Sequence, residues 1–352
     1  MDMTPYLKLM VEKNASDIFI TTESPVKIKL EGVITSVGKT ILTGDICKAA
    51  AYNIMNDIQI KHFEETMECD FAIALEDGLA RFRVNVFRQR GDVGMVLRLI
   101  PSEIPTLDKF GLPKILKEMI LNKRGLILMV GATGSGKSTT LAAMINHRNN
   151  NMAGHILSIE DPVEFSHPNI KSIINQREVG VDTLSYRNAL RAALREAPDV
   201  ILIGEIRDRE TMEAAMELSN TGHLAVSTLH ANNANQAMER VINMFPQEAH
   251  KQLFMDLSLN IRSVISQRLV TGIDGKRCAA IEILVNTPHI AELILKGDLD
   301  EMKIAMEESG QKGMQTFDKA LFSLYKEGRI ELEEALNNAD SRTNLEAKIN
   351  FG

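Results

Sequence analysis

Hydrophobic positions follow one rhythm up to about residue 100 and another from about residue 114. In the first stretch, residues 4–13 have helical spacing, with Thr4 as N-cap and Pro5 at the first helical position, where a missing N–H does no harm. Short extended segments near 17–21 and 26–30 follow, with Glu31-Gly32 as a turn signal, and residues 45–63 read as a helix. Two β-like runs, 69–75 and 79–87, flank a hairpin turn at Glu76-Asp77-Gly78, and a third run, 93–99, ends at Pro101. Within 80–87, Phe82, Val84 and Val86 point one way and Arg81, Arg83 and Asn85 the other. This part, residues 1–100, reads as a small α+β unit.

Residues 101–113 hold Pro101, Pro105, Gly111 and Pro113, a cluster that marks a linker and a domain boundary. From residue 114 a helix runs to Asn122, after which near-continuous apolar strands alternate with helical patterns. The strands are 126–130, 155–159, 200–203 and 224–228. That alternation predicts a mostly parallel, doubly wound sheet with both faces covered. From about residue 247 to 352 the pattern reads as mainly helical.

Composition narrows the class. The 352 residues carry a net charge of −7 with a pI near 5.7, so the basic footprint of a nucleic-acid-wrapping protein is missing. No apolar run approaches the roughly 18 to 20 residues that span a bilayer. Met1 to Met10 does not resemble a signal peptide, and the expected location is the cytoplasm. Cys47, Cys69 and Cys278 are too far apart to suggest a metal site and fit reduced thiols.

The candidate chemistry begins at Gly131-Ala132-Thr133-Gly134-Ser135-Gly136-Lys137-Ser138, followed by Thr139 and a helix. The run sits directly after the strand 126–130, the context a phosphate-binding loop requires. Its glycines let backbone N–H groups turn toward phosphate oxygens, Lys137 brings a cation to the β- and γ-phosphates, and Ser138 offers a hydroxyl to Mg²⁺. The implied ligands are ATP and Mg²⁺.

Hydrolysis also needs carboxylates. Asp199-Val200-Ile201-Leu202-Ile203-Gly204-Glu205 carries Glu205 to the carboxyl end of a parallel strand, where such sheets bind ligands. It is a Walker-B-like element with Glu in place of the usual Asp. Glu160, Asp161 and Glu164 follow the strand 155–159 at the same edge, and one of them is expected to hold the attacking water. His230, at the carboxyl end of 224–228, is placed to sense the γ-phosphate, whereas His223 lies at the opposite end. Arg81 and Arg83, followed by Arg88, Arg90 and Arg98, fit either a solvated strand face or an arginine finger. Arg187, Arg191 and Arg195 stripe one helix face, which reads most simply as solvated.

Taken together, the loop 131–138, the acidic stretch 159–164, the stretch 199–208 and the segment Thr221 to His230 resemble the secretion-type ATPases that power type IV pili and type II secretion. Within them the chain is similar to the retraction branch, the PilT and PilU twitching-motility ATPases, over essentially its whole length. The resemblance implies a PAS-like N-terminal domain, a RecA-like P-loop ATPase domain and a homohexameric ring with ATP sites between subunits. It also implies that Glu164 is the catalytic glutamate, that Glu205 is the Walker B residue, and that Arg83, Arg81, Arg98 and Arg277 contribute to the site.

The chain looks more like the PilU type. Retraction ATPases of the PilT type carry an Ala-Ile-Arg-Asn motif where Pro288-His289-Ile290-Ala291-Glu292-Leu293-Ile294 stands here, and the tail around Ala339-Asp340-Ser341 also looks PilU-like. The expected function is therefore a Mg²⁺-dependent ATPase assisting pilus retraction at the cytoplasmic, inner-membrane base of the machine. Its expected partners are a membrane platform protein and a sister retraction ATPase, with no nucleic acid. The alternatives are the principal retraction ATPase and a nucleic-acid translocase on the same core, which the acidic balance and the absence of interleaved aromatic and basic residues disfavour.

Overall fold

The computed structural model describes residues 1–30, 32–75, 80–100, 104–309 and 313–351. The chain divides into two compact units, Met1–Glu103 with Glu164–Ser166, and Ile104–Val163 with His167–Gly352. Glu31, the expected turn Glu76-Asp77-Gly78 and Pro101 fall outside the described residues.

The first unit opens with α1 (Thr4–Lys13), β1 (Asp17–Ile20), β2 (Lys27–Leu30) and β3 (Val33–Ser36). It continues through α2 (Gly44–Ile54), α3 (Asp57–Thr66), β4 (Glu68–Ala74), β5 (Arg81–Gln89) and β6 (Asp92–Ile100). Thr4 is not the N-cap expected of it. Met3 occupies that position without a side-chain bond, and the Asp2 carboxylate takes the Thr4 N–H at 2.9 Å. The single helix expected over 45–63 is two helices, because Asn56 and Gln59 exchange reciprocal 2.9 Å bonds and start a new one. The strands form an antiparallel sheet in the order β3-β2-β1-β6-β5-β4. Phe82, Val84 and Val86 are fully buried, so the alternation in β5 correctly marked its inner face.

The second unit runs through α4 (Ile115–Ile120), β7 (Gly125–Val130), α5 (Lys137–Asn151), β8 (Gly154–Glu160) and β9 (Ser172–Glu178). There follow α6 (Tyr186–Ala193), β10 (Val200–Ile203), α7 (Arg209–Asn220), β11 (Leu224–Leu229), α8 (Ala234–Asn243) and, after a short 3₁₀ turn, α9 (His250–Asn260). It ends with β12 (Ile261–Thr271), β13 (Arg277–Val285), α10 (Pro288–Lys296), α11 (Leu299–Glu308), α12 (Phe317–Lys326), α13 (Leu332–Asn338) and α14 (Arg342–Phe351). The sheet order is β13-β12-β7-β11-β10-β8-β9, parallel throughout except for the antiparallel pair of β12 and β13.

Leu126, Leu128 and Val130 pack into one apolar cluster and Ile127 and Met129 into another, so β7 is buried on both faces. That explains its unbroken apolar run. The mainly helical reading from about residue 247 is wrong at β12 and β13. Ser263, Ser266, Gln267 and Glu282 are polar yet buried within these two strands, which breaks the apolar run by which the other core strands were recognised. Because the six parallel strands run the same way, the ends of β7, β8, β10 and β11 open on one edge of the sheet, which positions the site.

Candidate active site

The phosphate loop leaves β7 at Gly131 and enters α5 at Lys137. A Cβ on Gly131 would lie 2.4 Å from Ser135 Oγ and 2.6 Å from the Gln267 carbonyl oxygen. Gly136 has φ +84° and a Cβ there would meet Gln267 Nε2 at 2.7 Å. These two glycines are thus demanded by the protein wall behind the loop as well as by any ligand in front of it. Lys137 is 8% exposed, and its ammonium donates to the carbonyls of Gly131 at 2.7 Å and Ala132 at 2.9 Å. Ser135 Oγ is buried without a hydrogen-bond partner, while Ala132, Thr133 and Gly134 are exposed and Ser138 and Thr139 half-buried. A buried cation and an unsatisfied hydroxyl at the N-terminus of a 15-residue helix fit a phosphate group.

Gln267 went unnoticed in the sequence and proves central. It donates to the Ser135 carbonyl at 2.8 Å and accepts from Thr140 Oγ1 at 2.7 Å, so β12 braces both sides of the loop. In front of Gly136 and Thr139 lies a cavity of about 1060 Å³, bounded by Phe110, Leu269, Arg277 and Arg329. Arg277, expected to contribute to the site, thus shares a cavity with the phosphate loop.

Past β10, Glu205 accepts from Arg207 Nε at 2.8 Å through one carboxylate oxygen and pairs with His230 Nε2 at 3.1 Å through the other. This joins two residues that the sequence placed at the same rim on separate strands. The carboxylate is 16% exposed. Gly204 just before it has no room for a side chain, since a Cβ would lie 2.7 Å from the Tyr186 hydroxyl. Burial, then the nearby Asp161 carboxylate, drives the Tyr186 phenol well above its usual range, so it remains a neutral hydroxyl.

In the acidic stretch after β8, Gln176 Nε2 donates to Glu160 at 3.2 Å, and Glu164 is exposed. His223 is tied to the end of α7 by contacts from its Nδ1 to Leu218 O and Thr221 Oγ1, a structural role. α6 ends at Ala193, so of the expected stripe only Arg187 and Arg191 lie on it, and Arg187 pairs with Glu210 of α7.

In the first unit, Arg83 and Arg98 are direct partners across β5 and β6. Like charges so placed repel. Arg98 is held by the buried Asp17 at 2.8 Å, whereas Arg83 has Asp70 only at 4.0 Å. Arg81, two residues before Arg83, shares its face.

Glu282 on β13 is 3% exposed and accepts from Ala234 N at 2.7 Å and Ser266 Oγ at 3.0 Å. Burial raises its pKa to about 7, with Asp340 adding to the effect and the Ala234 and Ser266 bonds and Arg268 opposing it. Between the ordinary carboxylate range and pH 7 the folded protein therefore holds more protons than the unfolded chain, and stability falls as pH rises across that window. Glu282→Gln is neutral throughout. Its stability relative to wild type should rise from pH 5 to pH 8 by on the order of 3 kcal/mol, at roughly 1.4 kcal/mol per pKa unit. Denaturant melts at the two pH values check this, and parallel profiles would contradict it.

A phosphate loop on one strand, with a carboxylate and a histidine ending neighbouring parallel strands, defines a P-loop nucleoside triphosphatase. Residues 2–345 match the type II/IV secretion system protein family, and the chain belongs to that family. It is 52% identical to the type IV pilus ATPase PilU of Pseudomonas aeruginosa, over 100% of this chain and 92% of that one. Identity to the type IV pilus retraction ATPase PilT of the same organism is 43%, over 96% and 98% of the two chains. Among solved structures, the pilus retraction motor PilT with bound ADP matches with a TM-score of 0.92 at 41% identity, covering 98% of this chain and 99% of that one. The Legionella pneumophila ATPase DotB matches at 0.83 with 28% identity, over 95% and 93%. The resemblance read from the motifs agrees with these relatives, PilU included.

Proposed function

We propose that the protein is a Mg²⁺-dependent, PilU-like motor ATPase that assists type IV pilus retraction. It would act as a homohexamer on the cytoplasmic face of the inner membrane, against a platform protein and beside a sister retraction ATPase. The observation that carries this reading is the pairing of Glu205 with His230 at the strand ends beside an intact phosphate loop, in a chain whose relatives are pilus ATPases. Among the described residues no helix is long and apolar enough to cross a membrane.

In the proposed site, Lys137 and the backbone of 131–139 would hold the ATP phosphates, and Ser138 and Glu205 would hold Mg²⁺, partly through water. The ion would supply charge neutralisation to the phosphates. Glu164 orients a water and takes its proton as the water oxygen bonds the γ-phosphorus; the bond to the β,γ-bridging oxygen breaks and ADP leaves. His230 reports on the γ-phosphate. Arg277 contacts the nucleotide of its own subunit, and Arg83, with Arg81 and Arg98, acts on that of a neighbouring subunit.

The accessory role rests on α10. Ile290, Leu293 and Ile294 are buried, while Glu292 is exposed and bound to Lys296 at 2.7 Å. Ala291 or this internally paired Glu292, depending on alignment, would stand near the place of the PilT motif's arginine, and a neutral or negative side chain there would remove or reverse a cationic contact. Cells expressing this protein as their only retraction ATPase should retract pili rarely or weakly. Forceful retraction at normal frequency would make it a principal motor instead, with the ATPase assignment intact.

A further inference from the structure

Two adjacent residues of β12 serve opposite faces of the sheet. Gln267 braces the phosphate loop, and Arg268 reaches the other way. Its Nη1 donates to the Asn338 carbonyl at 2.7 Å, and its Nη2 to Asp340 Oδ1 at 2.7 Å and the Asn232 carbonyl at 3.3 Å. The guanidinium lies 3.9 Å from the Phe317 ring centroid. Asp340 is in turn a junction of the C-terminal helices. Lys303 of α11 donates to its Oδ2 at 3.3 Å, and Asp318 of α12 accepts the Asp340 and Ser341 N–H groups at 2.7 and 3.1 Å.

Asn232 and Ala234 lie two and four residues beyond His230. Besides bonds to α8 itself, from Asn232 N–H to Gln236 and from Ala237 N–H to the Asn233 carbonyl, the loop 230–234 is held to β12 and β13 at two backbone points: a short buried bond donated by Ala234 N–H to Glu282 and a longer one donated by Arg268 to the Asn232 carbonyl. The first is fixed within the sheet, since Glu282 is also tied to Ser266. The second is the weakest contact of a guanidinium otherwise committed to the segment Asn338–Ser341, and so the one most sensitive to how that segment sits.

We propose that Arg268, anchored by Asp340, is a positioning residue for ATP hydrolysis: it sets the loop that carries His230, and the seating of the C-terminal helices thereby tunes turnover. The inference rests on the reading of His230 given above. It makes the tail a coupling element, in that a partner bound to α11 to α14 reaches the γ-phosphate side of the site through one side chain.

The test uses the full-length protein. Asp340→Ala is expected to lower kcat roughly tenfold to a hundredfold, as a small misplacement of a reacting group does, while KM for ATP stays within about twofold and affinity for a non-hydrolysable ATP analogue is unchanged. Arg268→Lys keeps the charge but loses the planar fork that spans Asp340 and Asn232, and should behave like Asp340→Ala. In a His230→Gln background, Asp340→Ala should change kcat by less than about twofold, because the group it positions is already gone. Additive losses, or an Asp340→Ala protein with wild-type kcat, would overturn the inference and leave His230's role standing. His230→Gln at wild-type turnover would overturn the reading of His230 and the inference with it. If Asp340→Ala does not fold, Asp340→Asn replaces it with the same expected split between kcat and KM. Failure of both to fold would assign Asp340 to stability alone and overturn the proposal.

Discussion

Lys137→Ala should lower ATP turnover by at least about a hundredfold, the scale for removing one preorganised charge from a water-poor site. The side chain is buried in the crook of the phosphate loop, where its ammonium donates to the carbonyls of Gly131 and Ala132. Glu205→Ala provides the contrast. The glycine loop stays whole, so ATP should still bind, while turnover falls with the loss of the carboxylate that holds both His230 and Arg207. Turnover and fluorescent-nucleotide titration on the two variants separate the roles. A Lys137→Ala protein within twofold of wild-type activity would defeat the phosphate-loop assignment. Loss of binding in Glu205→Ala as complete as in an unfolded protein would defeat that of Glu205.

A second large effect is expected at Arg83. An arginine finger is worth ~10³–10⁵ in rate in P-loop enzymes, and Arg83→Ala should lose activity on that scale without losing its fold. Arg83 stands opposite Arg98 across the sheet, and its nearest carboxylate is at the 4.0 Å limit of an ion pair. Removing it relieves a like-charge contact, so the melting temperature should hold or rise. If Arg83 serves a neighbouring subunit, mixing inactive Arg83→Ala with inactive Lys137→Ala restores interfaces that carry both an intact loop and an intact arginine. Activity should then reappear in the mixture. Co-assembly without recovery would place Arg83 outside the shared site.

Much of the architecture was legible because it depends on local pattern. The strand and helix around 131–138, the alternation over 81–87 and the apolar runs ending at Glu205 and His230 are each dictated by neighbours in the sequence, and each lies where the pattern put it. Two of the misreadings share another cause. Met3 rather than Thr4 holds the N-cap position of α1 while Asp2 accepts the Thr4 N–H, and Asn56 split a helix whose apolar spacing ran straight through it. In both, a side-chain bond to the backbone set where a helix begins.

By itself the sequence determined the chemistry at hand: a glycine loop that only glycines can make, a lysine and a serine beside it, and acidic and histidine residues ending buried parallel strands. The tertiary structure decided which of these meet and what supports them. The bond between Glu205 and His230 joins residues 25 positions apart, yet the supports reach much further: Gln267 crosses 132 positions to Ser135, and Arg268 crosses 72 to Asp340. A polar residue inside a strand looks like a defect until its partner is known, because burial costs a polar group dearly unless a hydrogen bond compensates it. The sequence contains Gln267, Arg268 and Glu282 without their partners, and only the folded sheet, by bringing distant backbone groups within bonding distance, turns them into supports of the site.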